Sequence, residues 1–134
     1  MAMPCQRASA MRPTVLVCDN EEPLRALVRG ALDLGDYEIV EARDGDESVE
    51  LARSVRPDLI VLDMMMPGRT GLEVLDELRA EAQFATTPVI MLTARAQAED
   101  RAAAAEAGVS RFLPKPFSPL ELAATVEELL GNGS

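Results

Sequence analysis

Short apolar runs alternate with amphipathic stretches along this chain. "TVLVCD" (Thr14 to Asp19), "PDLIVLD" (Pro57 to Asp63) and "TPVIMLT" (Thr87 to Thr93) are short and nearly continuous in apolar character, and "YEIVEA" (Tyr37 to Ala42) is a further strand interrupted by two Glu. The continuous runs have the pattern of parallel strands covered on both faces. "SRFLPKP" holds a shorter fifth strand. Between them lie helical patterns. "EPLRALVRGALDLG" sets Leu24, Leu27, Val28, Ala31 and Leu32 at helical spacing, with Pro23 in its opening turn and Gly35 at its stop. "DGDESVELARSV" does the same with Val49, Leu51, Ala52 and Val55, and a third helix runs from about Leu72 to Ala82. A fourth, near Ala98 to Ala107, is strong in helix propensity but poor in bulky apolar residues, which predicts light packing. "SPLELAATVEELLG" closes the series, with Ser118 as N-cap, Pro119 at the first helical position and Gly131 past the end.

Five strands alternating with five helices predict an α/β fold: a doubly wound five-stranded parallel sheet with helices on both faces, joined by right-handed crossovers. The chain has 134 residues, 48% of them hydrophobic, enough for one domain with a substantial core. Residues 1–12 read as a flexible leader, 13–131 as the domain and 132–134 as a polar tail. No internal repeat or low-complexity segment is visible.

Composition narrows the chemistry. No apolar run reaches the roughly 18 to 20 residues that span a bilayer, and the opening "MAMPCQRASAM" has no long apolar secretory segment, so the expected location is cytoplasmic, with no membrane partner. Cys5 and Cys18 sit in very different settings and read as free thiols. A net charge of -10 argues against nucleic-acid binding by this chain. The sequence contains no histidine, which removes the usual neutral-pH base, the Ser-His and Cys-His nucleophile pairs and most zinc sites. Carboxylates, hydroxyls, lysine and a hard cation are what remain.

In an open doubly wound sheet, ligands collect beyond the carboxyl ends of the strands. Strand one ends in Asp19 and Asn20, strand three in Asp63 and strand four in Thr93; strand five is followed by Lys115 between two prolines. Any one of these has an ordinary explanation: a strand-end Asp usually forms a turn or caps a helix, and most lysines are solvated. Together they place two carboxylates, an amide, a hydroxyl and an ammonium along one edge. Adjacent carboxylates repel unless a proton or cation lies between them, and Mg²⁺ suits an oxygen-only site. On such an edge Asp63 can act as a nucleophile toward a phosphoryl group, while Lys115 and Thr93 hold its oxygens.

"VLVCDNEE", "PDLIVLDMMMPGRTGLEVL", "PVIMLTARA" and "AGVSRFLPKPF" resemble, in order, the successive blocks of the response-regulator receiver domain of two-component signalling. The resemblance covers about Thr14 to Leu130, and four ordered blocks make it specific. It implies a flavodoxin-like fold similar to that of the chemotaxis response regulator, with strand order 2-1-3-4-5. It also implies Mg²⁺-dependent transfer of phosphate from a histidine kinase or phosphotransfer protein onto Asp63, the chain acting as an enzyme only on its own phosphorylation and dephosphorylation. By motif, Asp19, Asn20, Asp63 and the Met65 backbone carbonyl hold the metal. Thr93 and Lys115 contact the phosphoryl group, and Thr93 and Phe112 form the switch. Met65 and Arg95 flank the path of attacking water and tune the phosphoryl lifetime. In the family the switch remodels the face made by the fourth helix, the fifth strand and the fifth helix. If the chain stands alone, its output is a docking surface for another protein; the alternative is that it is the receiver of a longer regulator.

Asn20 departs from the pattern, because the family usually has a second acid there. Weaker Mg²⁺ binding follows from the missing charge. It motivates a rival reading: a receiver-shaped binding module with weakened or no dependence on phosphorylation. Glu21 or Glu22 could supply charge through a water, or could simply favour the positive end of the following helix. An aspartyl phosphatase acting on external esters is disfavoured, since Met65 stands where such enzymes place a second acid. A flavin or nucleotide site is disfavoured by acids after strand one.

Overall fold

The computed structural model describes residues 13–33, 37–93, 108–115 and 117–130. In chain order these form β1 (Thr14–Cys18), α1 (Glu22–Leu32), β2 (Glu38–Ala42), α2 (Gly45–Val55), β3 (Leu59–Asp63), α3 (Gly71–Arg79), a 3₁₀ turn (Ala82–Phe84), β4 (Val89–Thr93), β5 (Arg111–Pro114) and α4 (Pro119–Leu130). The leader, the tail, Cys5, Gly35, Arg95, Pro116, Gly131 and the helix expected near 98–107 lie outside the described residues.

The strands form one parallel sheet in the order β2-β1-β3-β4-β5, as predicted. β3 and β4 are buried at every position, which explains their unbroken apolar runs. Alternate side chains feed two cores. Leu16, Cys18, Ile60, Leu62 and Met91 face α2 and α3 residues such as Val49, Ala52, Val74 and Leu78. Val15, Val17, Val61, Ile90 and Leu92 face Val28 and Leu32 of α1 and Leu122 and Val126 of α4. The period-two alternation of a strand therefore explains how one run of five residues supplies both layers.

Helix ends follow their local chemistry. Asp44 caps α2, its carboxylate accepting from the Glu47 N–H at 2.8 Å. Thr70 and Glu73 form a reciprocal capping box at α3. Ser118 Oγ accepts from the Glu121 N–H at 3.3 Å, as the sequence predicts for α4.

Two expectations are corrected. Leu27 is 42% exposed, because the stripe of α1 that meets the sheet is centred on Val28 and Leu32 and leaves Leu27 beyond its edge. The third helix stops at Arg79 rather than Ala82. Glu81 adopts an extended conformation, and the chain turns to bury Phe84, whose carbonyl accepts from Arg79 Nη1 at 2.5 Å.

Candidate functional site

β1 and β3 are adjacent, and both end at the carboxyl edge of the sheet. Asp63 is the last residue of β3 and Asp19 follows β1; each is at most 2% exposed. β5 delivers Lys115 to the same edge. The Lys115 N–H donates to the Thr93 carbonyl at 2.6 Å, extending the β4–β5 pairing by one step beyond Thr93 and Pro114. Lys115 Nζ then lies 3.2 Å from Asp63 Oδ1 and 3.5 Å from Asp19 Oδ2. The ammonium bridges two buried carboxylates while its side chain stays 20% exposed.

The carboxylates are held by backbone donors. The Glu21 N–H donates to Asp19 Oδ1 at 2.8 Å, and the Met65 N–H to Asp63 Oδ1 at 3.3 Å. Burial pushes the Asp19 carboxyl above its ordinary range, and the Asp63 charge adds to this; the Glu21 hydrogen bond and Lys115 oppose it. One ammonium shared by two carboxylates leaves negative charge in excess.

The loop from β3 to α3 is pinned at its base. The Gly71 N–H donates to the Met64 carbonyl at 2.8 Å, and Met65 pairs with Thr70 in an isolated antiparallel bridge. A Cβ at Gly71 would strike the Asp63 carbonyl oxygen, so only glycine allows this approach. At the loop's tip, Gly68 has φ +82°, in the region that favours glycine.

Asp19, Asp63, Thr93 and Lys115 are thus brought together, with Thr93 2% exposed at the end of β4. Asn20 lies beside them, exposed. Met65 presents its backbone to Asp63 and leaves its side chain to solvent, 65% exposed. Phe112 is half-buried on β5 and packs against the α2 and α3 core. Glu21 takes the N-cap position of α1 but makes no side-chain capping bond; the Asp19 carboxylate fixes the turn instead.

Arg25 was not singled out by the sequence pattern. It is 8% exposed, and its Nη1 donates to the Asp19 main-chain carbonyl at 2.7 Å. The available signal was an arginine one turn after the acidic loop, paired with Glu41 in the otherwise apolar end of β2.

The donor set suits a hard cation. Two carboxylates, the Asn20 amide and the Met65 peptide offer oxygen only, and the excess negative charge gives a cation something to neutralise. Asn20 beside Asp19 and Asp63 leaves two acids in that set among the described residues.

Comparison with known proteins decides the family. Residues 15–127 match the model of the response regulator receiver domain. This chain belongs to the response regulator receiver family. The receiver is 40% identical over 120 residues to the phosphate regulon transcriptional regulatory protein PhoB of Klebsiella pneumoniae, covering 90% of this chain and 52% of that protein. It is 41% identical over 120 residues to the transcriptional regulatory protein ResD of Bacillus subtilis, covering 90% of this chain and 49% of that one. The receiver therefore spans about half the length of these curated relatives. Among solved structures it superposes on the Vibrio cholerae chemotaxis response regulator CheY4 with a TM-score of 0.83 at 32% identity, covering 88% of this chain and 98% of that one. The Francisella response regulator 1452 receiver domain gives the same TM-score and identity, covering 92% and 100%. No helix among the described residues of the receiver is long and apolar enough to cross a membrane.

Proposed function

We propose that this receiver accepts a phosphoryl group on Asp63 from a phosphohistidine of a histidine kinase or phosphotransfer protein, in a Mg²⁺-dependent step that switches a protein-interaction surface. One observation carries this reading: Lys115 Nζ sits within 3.5 Å of both buried carboxylates. An Asp63 oxygen attacks phosphorus, a P–O bond forms as the P–N bond breaks, and the partner's imidazole departs with the electron pair. Lys115 pairs with a phosphoryl oxygen as a point charge, and Thr93 donates its hydroxyl to another. Asp19, Asn20, Asp63 and the Met65 carbonyl would hold Mg²⁺, which when bound neutralises charge on the transferring oxygens. These 134 residues contain no histidine, so the phosphohistidine of this reading lies outside them.

Thr93 and Phe112 form the switch under this reading. Phe112 packs from β5 against the α2 and α3 core. A shift of a few kcal/mol suffices to repopulate two arrangements there. Met65 and the Arg95 position govern access of water to the acyl phosphate; the exposure of the Met65 side chain supports this for the first of them.

Incubation with acetyl phosphate and Mg²⁺, followed by intact-mass measurement, tests the proposal. Wild type gains the mass of one phosphoryl group and Asp63→Ala does not. A second reading, a binding module indifferent to phosphorylation, is favoured by Asn20, an amide beside the acid Asp19. It wins if wild type gains no mass and Asp63→Ala leaves partner binding unchanged.

A further inference from the structure

Three charged side chains are buried among the described residues: Asp19, Asp63 and Arg25. The first two belong to the site described above, whereas the phosphoryl chemistry makes no use of Arg25. A buried guanidinium is costly unless its donors are placed, so what it touches is informative. Arg25 Nη1 donates to the Asp19 carbonyl at 2.7 Å, and Nε donates to Glu41 Oε1 at 2.9 Å. Glu41 also pairs with Arg29. The Asp19 carbonyl is one half of the peptide that joins Asp19 to Asn20. The same turn is tied by the Asp19 N–H to the Ala42 carbonyl at 3.1 Å and by the Glu21 N–H to Asp19 Oδ1 at 2.8 Å.

We propose that Arg25 is a positioning residue for the cation-binding edge. By gripping the Asp19–Asn20 peptide it fixes the direction of the Asp19 carboxylate and the placement of Asn20, and Glu41 aims the guanidinium from β2. The proposal rests on the reading of that edge as a Mg²⁺ site. Two effects of Arg25 oppose each other there. Its positive charge disfavours a nearby cation, while its hydrogen bond pre-organises the ligands. Pre-organisation wins, because the charge is already paired with Glu41 and the guanidinium holds two acceptors at once in a planar fork. Partners that orient metal ligands typically change affinity by about 10- to 100-fold when removed. The exposed Asn20 makes this support matter more, since a ligand set short of one charge depends more on geometry.

The test uses the full chain. Mg²⁺ titration by calorimetry is run on wild type, Arg25→Lys, Arg25→Gln and Glu41→Gln. Hydrogen exchange of the Glu21 amide, with the Met91 amide of β4 as control, is measured on the same proteins without metal. Arg25→Lys keeps the charge and loses the fork; Arg25→Gln loses the charge. Both are expected to bind Mg²⁺ about tenfold more weakly and to exchange the Glu21 amide faster with Met91 unchanged. Glu41→Gln moves both readouts the same way by less, and it decides the matter if an Arg25 variant does not fold. Mg²⁺ binding by Arg25→Gln at or above wild-type strength overturns the proposal, as does acceleration shared equally by Met91, which marks a merely structural role. If wild type itself binds no Mg²⁺, the cation reading falls, and the exchange arm still decides whether Arg25 holds the turn.

Discussion

The same kinds of side chain form ion pairs in two places on this receiver, with opposite consequences. Across α2 and α3, Arg53 pairs with Glu77 and Glu81, and Arg69 pairs with Glu77 and Asp46, on a surface open to solvent. At the carboxyl edge, Asp19 and Asp63 are buried and share one lysine. The surface group sets two arginines against three carboxylates, but it is screened by water, so each pair is worth little. The edge group carries the same excess of one carboxylate but is desolvated, which raises the Asp19 pKa. Strain of this kind is a cost to the fold that a cation or a phosphoryl reaction can relieve. The comparison teaches that function follows the charges that are poorly satisfied.

Among changes that leave the acceptor Asp63 in place, the largest effect should come from removing the shared ammonium. Lys115→Met is expected to slow phosphorylation by acetyl phosphate by about 10²-fold, the cost of losing one preorganised charge contact in a transition state. Intact-mass time courses at saturating Mg²⁺ measure it; a rate within threefold of wild type, a margin of about 0.7 kcal/mol, would remove Lys115 from the chemistry. Next, Asp63→Asn abolishes phosphorylation but relieves the repulsion at Asp19. Without metal, the variant should be more stable than wild type by about 1 kcal/mol, seen in urea unfolding. Added Mg²⁺ should narrow the gap by stabilising wild type. A less stable Asp63→Asn in metal-free buffer would show that the edge is not strained.

Asn20→Asp sharpens the contrast by making the edge still more acidic. It should bind Mg²⁺ severalfold more tightly than wild type while lowering metal-free stability, since another carboxylate joins the group. Calorimetry and unfolding read the two signs separately. Equal Mg²⁺ affinities would mean that Asn20 is no deficit.

Much of this was legible because the sheet is covered on both faces. Buried parallel strands leave long apolar runs, and where each run stops, the next polar residue falls on the edge; Asp19, Asp63, Thr93 and Lys115 were found that way. Arg25 was not. An arginine in a helix has the same appearance whether it faces water or a carbonyl of the preceding loop, and only the crossing of α1 over β1 and β2 brings it to Asp19 and Glu41. The end of α3 was missed for a related reason: Glu81 and Ala82 suit a helix locally, and burial of Phe84 overrides them.

The smallest effect belongs to the surface network. Arg53 is 48% exposed and holds Glu77 and Glu81 at 3.2 and 2.6 Å. The Glu81 carboxyl is held below its usual range by hydrogen bonds from Arg53 and Gln83, but contact with solvent limits what that is worth. Arg53→Ala is therefore expected to change stability by no more than about 0.5 kcal/mol, and by less still at 0.5 M salt, where screening shortens the reach of every exposed pair. Phosphorylation and Mg²⁺ affinity should not move. A loss as large as that from Lys115→Met in either assay would mean that the two groups of charges are coupled through α3 and the loop that carries Arg69, and the distinction between a satisfied surface and a strained edge would fail.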